Sequence, residues 1–212
     1  MKLAVIDLGM GNLESLTTTL FQTDFAGAIH RVGDHKQVNE YDFLILPGVG
    51  NFEHFSESLF SKGFAEAIEA FIGSGKNFLG ICSGMQFLCR SSEESPGIRG
   101  LGFFDADVVS LKNFTIQCQD RPRHRLPLIG RCEHSTVVIR EDILGSNESD
   151  RRYYLNHSFG VGANEDSALL GGLYGYEYTL ALTKMNVWGV QFHPEMSSHS
   201  GLKFLNRWLC QD

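Results

Sequence analysis

The sequence predicts an α/β protein built on a helix-covered parallel sheet, with further strands added in its second half. Three observations carry this reading. Short apolar runs alternate with helical patterns through the first half of the chain. The chain turns glycine-rich where several of those runs end. In the second half the alternation gives way to strand patterns separated by loops of Gly, Asn, Asp and Ser. With 212 residues, 42% of them hydrophobic, one domain spanning 1–212 can hold a substantial core.

The elements follow in order. KLAVID (2–7) has the continuous apolar centre of a strand buried on both faces. After Gly9-Met10-Gly11-Asn12, a helical pattern runs through Leu13, Leu16, Leu20 and Phe21. AIHRV (28–32) is a short strand candidate, and FLILPG (43–48) is a strand ending in Pro-Gly. One helix is expected from about Glu53 to Ile72, with Phe55, Leu59, Phe60, Ala67, Ile68, Phe71 and Ile72 on its apolar side. NFLGI (77–81) is the next strand, and a helix starts at Cys82. Such β-α repetition implies parallel strands joined by right-handed crossovers. Further strands are expected at 103–111, 135–140, 151–156, 177–183 and 186–192, with a final helix over 200–209. QDRPRHRLP (119–127) is the most loop-like stretch.

Composition excludes several classes. No apolar run approaches the ~20 residues that span a bilayer, and the N-terminal MKLAVIDLGMGN lacks the pattern of a signal peptide. A cytosolic protein is expected. The net charge of −7 argues against a general nucleic-acid binder. Five scattered cysteines do not form a disulfide framework. Cys118, Cys132 and His134 contain no C-x-x-C pair, so no metal site is expected. The arginines at 121, 123, 125 and 131 form a local basic patch, read as a solvated loop or a docking point.

Three motifs carry chemistry. Gly80-Ile81-Cys82-Ser83-Gly84 has the form of a nucleophile elbow with cysteine in the serine position. Glycines allow the tight turn, the helix N-terminus favours thiolate, and the Ser83 N–H is free to meet an oxyanion. On these five residues alone, a packed thiol in a glycine-rich turn fits equally well. Gln191-Phe192-His193-Pro194-Glu195 closes the last strand. His193 and Glu195, two apart in extended chain, point the same way, so Glu195 can orient the imidazole that a thiol nucleophile needs. Leu46-Pro47-Gly48-Val49-Gly50-Asn51 leaves another parallel strand at the same sheet edge and can offer a backbone oxyanion donor. Gly9-Met10-Gly11-Asn12 fails the dinucleotide pattern because Glu14 holds the third glycine position. No nucleotide cofactor is expected, and Asn12 reads as a helix cap.

Taken together, GICSGMQ, LPGVGNF and QFHPE resemble the class I (triad) glutamine amidotransferases. With GMGNLESL and YYLNHSF added, the pattern is most similar to the glutaminase subunits of imidazole glycerol phosphate synthases. The resemblance covers nearly the whole chain. It implies a three-layer, flavodoxin-like fold with a mainly parallel sheet and extra antiparallel strands. It implies no cofactor and no metal. Cys82 would attack the glutamine side-chain amide, His193 would move protons, and Glu195 would orient His193. Val49, Gly50 and Ser83 would hold the oxyanion. Gln86, His157, Ser158 and Phe159 would bind L-glutamine. The ammonia would pass to a barrel-shaped synthase (cyclase) subunit in a heterodimer, with Asn12, Arg131 and Met196 facing that partner.

The chain departs from the family pattern at four places. Ser83 stands for the usual Leu, and Phe159 for the usual Tyr. Gly130-Arg131-Cys132 replaces Gly-Trp-Asn, and Met196 replaces the Lys after His-Pro-Glu. Charges at an interface govern partner choice more than affinity. A subunit that supplies ammonia for sugar amination in surface polysaccharide synthesis is therefore an alternative. A γ-glutamyl thiol hydrolase on the same scaffold is another.

Overall fold

A computed structural model describes residues 1–113, 126–133, 135–138, 152–164, 166–173 and 176–210. The central sheet has eight strands. In chain order they are β1 (Lys2–Ile6), β2 (Ala28–Val32), β3 (Phe43–Gly48), β4 (Asn77–Cys82), β8 (Ser135–Val138), β11 (Ser167–Leu173), β12 (Tyr176–Lys184) and β13 (Val187–Val190). Across the sheet they run β2-β1-β3-β4-β13-β12-β11-β8. The first five are mutually parallel, whereas β12, β11 and β8 continue the sheet antiparallel. This is the α/β, mainly parallel architecture that the sequence predicts.

Side-chain alternation sorts the core into two layers, one on each side of the sheet. Leu3, Val5, Phe43, Ile45, Leu79, Ile81, Trp188 and Val190 face one way. They meet Leu13, Leu16 and Leu20 of α1 (Leu13–Leu20) and Phe204, Leu205 and Trp208 of α5 (Ser198–Leu209). Ala4, Ile6, Leu44, Leu46 and Phe78 face the other way. They pack under α2 (Phe52–Ser61), α3 (Phe64–Gly73) and α4 (Ser83–Phe87). Each fully buried Leu or Phe contributes about 1.5–3 kcal/mol, so these helices are held by the sheet rather than by their own short length.

The single helix expected over 53–72 is two helices. α2 ends at Ser61, and Gly63 enters the left-handed region with φ 74°. The Gly63 N–H bonds the Phe60 carbonyl, a glycine-terminated helix end. Phe21 is 69% exposed and lies just past α1, not on its buried face. Of the strand expected over 103–111, only β6 (Asp107–Ser110) forms. β9 (Arg152–His157) falls where a strand is expected; β7 (Leu128–Glu133) and β11 do not. β7 and β9 pair antiparallel as a separate two-stranded ribbon. Short β5 (Ser91–Ser92), β6 and β10 (Phe159–Gly160) make a third small sheet. Residues 119–125, Cys118 and His134 lie outside the described residues.

Candidate active site

Three parallel strands end at one edge of the sheet, and each delivers part of the site. β4 ends on Cys82, β3 opens into Val49-Gly50, and the chain leaving β13 carries His193. In register, Gly48 lies beside Cys82 across the β3–β4 ladder. A cleft of about 320 Å³ opens there. It is lined by Val49, Gly50, Asn51, Cys82, Ser83, Gln86, Glu94, Pro127, Asn156, His157, Ser158, Phe159 and His193. It therefore gathers every residue singled out from the sequence for nucleophile, oxyanion and substrate contact.

Cys82 is the last residue of β4 and the N-cap of α4. Its φ of 54° and ψ of −111° lie outside the regions open to L-residues. Such a conformation costs of order 1–3 kcal/mol and persists only where the surroundings over-determine it. Here three glycines do so. A Cβ on Gly84 would sit 2.0 Å from the Leu46 carbonyl oxygen. One on Gly80 would sit 2.7 Å from the Gly84 oxygen, and one on Gly48 would sit 2.5 Å from the Gly84 nitrogen. β3, β4 and α4 thus touch backbone to backbone, and the turn throws the Cys82 side chain toward the cleft. The Ser83 hydroxyl donates to the Gly50 carbonyl at 3.2 Å and ties the Val49-Gly50 loop to the elbow. The neighbouring thiol, Cys89, is packing: burial pushes it far above the ordinary thiol range.

His193 is 5% exposed, and its Nδ1 lies 2.9 Å from Glu195 Oε1. Burial alone would push its pKa down. Hydrogen bonds to Cys82 and to Glu195, with the charges on both, overcome that and raise it to about 10. With Nδ1 engaged by Glu195, Nε2 is the ring nitrogen left for the sulfur. Glu195 lines no part of the cleft; it stands behind the imidazole. The His193 backbone is also fixed. Its N–H bonds the Tyr154 carbonyl at 2.9 Å, and its carbonyl accepts from Ser197 Oγ at 2.6 Å.

The far wall comes from the end of β9 and the turn into β10. The Phe159 carbonyl there accepts from Gln86 Nε2 at 3.1 Å and pairs with His157 Nδ1 at 2.8 Å. Both amide hydrogens of Gln86 are engaged, the second by Gln191 Oε1 at 3.0 Å. Only Gln86 Oε1 remains for a ligand.

Sequence reasoning misses Pro127 and Asn156 of the lining and three residues whose hydrogen bonds shape the site. Gln191 stands inside the QFHPE motif, yet nothing in its spacing assigns it a contact. Glu94, whose carboxylate accepts the Phe52 N–H at 2.8 Å, brings a negative charge to the cleft wall. Ser197, 2% exposed, bridges the His193 carbonyl and the Tyr154 N–H.

The residues read as partner-facing lie outside the cleft lining. Asn12 caps α1, accepting from Ser15 N at 3.4 Å. Ser15 Oγ in turn reaches the Glu195 carbonyl at 3.5 Å. Arg131 is exposed and donates from Nε to the Met196 carbonyl at 2.9 Å. The structure therefore joins Arg131 and Met196 directly and ties the helix capped by Asn12 to the same segment.

Comparison with known proteins places the chain in a family. The class I glutamine amidotransferase family model matches residues 4–211. The imidazole glycerol phosphate synthase subunit HisH of Caldanaerobacter subterraneus is 35% identical, over 96% of this chain and 95% of its own length. The subunit of the same name from Bacillus licheniformis is 37% identical, over 97% and 94%. Among solved structures, PurLQS from Thermotoga maritima superposes with a TM-score of 0.69 at 18% identity, covering 98% of this chain and 97% of that one. A structure described as a glutamine amidotransferase gives 0.59 at 16% identity, covering 98% and 97%. The chain belongs to the class I glutamine amidotransferases.

Proposed function

We propose that this protein, acting as one domain over residues 1–212, hydrolyses L-glutamine to glutamate and ammonia in the cleft around Cys82. The observation that carries this reading is a cysteine held at φ 54° on a sheet-edge elbow, with a His193–Glu195 pair hydrogen-bonded beside it. Cys82 Sγ attacks the side-chain amide carbon, and the carbonyl electrons collect on oxygen. N–H groups of Ser83 and of the Val49-Gly50 loop face that oxyanion. When the tetrahedral intermediate collapses, the C–N bond breaks and His193 gives its proton to the leaving nitrogen as ammonia departs. Water then adds to the glutamyl thioester while His193 takes its proton, and glutamate leaves with the thiolate restored. Glu195 holds the ring in one orientation through both halves. Gln86, His157, Ser158 and Phe159 enclose the amino-acid end, and Glu94 offers its carboxylate to the α-ammonium.

The ammonia is passed to a synthase subunit docked over the cleft. The names of the relatives support a subunit of an imidazole glycerol phosphate synthase; on this reading the pathway is histidine biosynthesis and the heterodimer partner is a barrel-shaped cyclase. The site works in the cytoplasm and is cofactor-free. Among the described residues no helix is long and apolar enough to cross a membrane. A second reading, ammonia supply for sugar amination, is favoured by the Arg131–Met196 contact. It fills the expected docking edge with an arginine and leaves no lysine after Glu195.

The test is glutamate release by the parent protein and by Cys82→Ser, each alone and with a cyclase subunit. The parent should be slow alone and accelerated by its partner. Cys82→Ser should fold normally and lose at least about a thousandfold in rate. Glutamate release by Cys82→Ser at the parent rate would overturn the nucleophile assignment. Acceleration by a sugar-aminating synthase and not by a cyclase would select the second reading.

A further inference from the structure

Gln191 is fully buried, and its side chain joins two parts of the site. Its Nε2 lies 3.7 Å from Cys82 Sγ, and its Oε1 accepts from Gln86 Nε2 at 3.0 Å. The direction of this chain is set from its far end. A backbone carbonyl can only accept, so the Phe159 carbonyl obliges Gln86 to turn its NH2 toward it. That same NH2 also faces Gln191, which must answer with its oxygen. The Gln191 NH2 is then left pointing at the sulfur. Reversing Gln86 would set its oxygen against those of Phe159 and Gln191, and reversing Gln191 would set two NH2 groups against each other, each at the cost of two hydrogen bonds in a buried site. The main chain is pinned as well, since the Gln191 N–H bonds the Leu180 carbonyl at 2.9 Å.

We infer that Gln191 is a positioning residue that presents an N–H donor to the Cys82 sulfur, its polarity dictated by the Phe159 carbonyl through Gln86. A donor aimed at sulfur favours the anionic nucleophile and restricts its rotamer. With His193 on another side, the sulfur is held by two donors. The inference rests on Cys82 being the nucleophile. The chain also couples the substrate wall to the sulfur, because the amide that faces the substrate with Oε1 is the one that orients Gln191.

The experiment measures the rate of Cys82 alkylation by iodoacetamide at neutral pH, by peptide mass spectrometry. Exposed Cys210 in the same sample serves as the internal standard. Gln191→Met removes the donor and should slow Cys82 alkylation about tenfold relative to Cys210. Gln191→Glu, nearly isosteric, should slow it further, because it replaces the donor with a negative oxygen. In both variants kcat for glutamine should fall by a similar factor while KM stays within about twofold, since Gln86 keeps its bond to Phe159. Loss of packing alone would lower thermal stability without this split between kcat and KM. If Gln191→Met fails to fold, Gln191→Glu carries the test. Alkylation of Cys82 at the parent rate in a folded variant would overturn the inference, as would a raised KM with unchanged kcat. If alkylation is unchanged and Cys82→Ser is inactive, Gln191 alone is misassigned. If Cys82→Ser remains active, the functional reading fails first.

Discussion

The conformation of Cys82 can be tested by taking its side chain away in two steps. Cys82→Ala keeps the Cβ at φ 54°, ψ −111° and so keeps the strain, whereas Cys82→Gly removes both. At an ordinary buried position glycine is the worse residue. It frees the unfolded chain by about 0.4–1 kcal/mol and gives up the burial of one methyl, about 0.8 kcal/mol. Gly should then be about 1.5 kcal/mol less stable than Ala, or about 3–6 °C lower in Tm for a chain of this size. At Cys82 the relief of about 1–3 kcal/mol of backbone strain opposes those losses. Gly is therefore expected between about 0.5 kcal/mol behind and about 1.5 kcal/mol ahead of Ala. Both should be inactive toward glutamine, so the comparison isolates the backbone. Urea titrations with matched m-values and calorimetric Tm measure it. A Gly variant melting about 5 °C below the Ala variant would show that the elbow stores no strain, and the account of how β4 presents its cysteine would fail.

Three further outcomes follow from the same geometry. His193, raised from 6.5 to about 10, lends stability that is complete below pH 6.5 and lost as pH rises through about 10. Between those limits the unfolding free energy of the parent should fall with pH more steeply than that of His193→Gln, and equal slopes in urea titrations at about pH 7 and pH 9 would contradict this. Gly84→Ala places a Cβ 2.0 Å from the Leu46 carbonyl, which is backbone and cannot swing aside. It should cost about 3 kcal/mol or more in denaturant unfolding, and a loss under 1 kcal/mol would show that β3 and α4 can separate freely. Ser197→Ala leaves the half-buried Tyr154 N–H without its 2.9 Å acceptor and should cost about 1 kcal/mol. Hydrogen exchange at the Tyr154 amide should quicken with it, and unchanged protection would assign that amide another acceptor.

The first half of the fold is legible because parallel strands buried on both faces leave continuous apolar runs. FLILPG coincides with the buried strand β3 residue for residue, and AIHRV coincides with β2, a largely exposed edge strand. The break at Gly63 is obscured because Phe60, Phe64, Ala67 and Ile68 carry a helical apolar spacing across it. β7 and β11 are harder to see. LIGRCE has few apolar residues to alternate, and SALLGGL dilutes its pattern with two glycines. Both are strands because of their partners: β7 lies against β9, with Leu128 opposite His157, and β11 lies between β8 and β12, with Leu169 opposite Val138 and Ala181. The same distinction divides the site. Cys82, His193 and Glu195 are prominent because their chemistry demands local spacing. Gln191 and Ser197 act on groups from other elements, a sulfur from β4 and an amide from β9, so their roles emerge only after folding.

The two walls of the cleft differ in how firmly they are built. One is the sheet edge, where glycine contacts of 2.0–2.7 Å from a notional Cβ leave β3, β4 and α4 no room to shift. The other is the β7–β9 ribbon and the turn after it, which belong to a different sheet. That ribbon joins the His193 segment through the Tyr154 carbonyl, through Ser197 Oγ and through Arg131 Nε to the Met196 carbonyl. Arg131 lies opposite Tyr154 in the ladder, so the exposed arginine is the direct cross-strand partner of the residue bonded to the His193 N–H. A protein docking at Arg131 therefore presses on the wall that carries Asn156, His157, Ser158 and Phe159. On the proposed function, the nucleophile stands on the tightly packed wall, and the substrate contacts stand on the wall a partner would reach. The proposed passage of ammonia to a partner would use that division: a nucleophile held ready, and a substrate wall whose fit a docked subunit would complete.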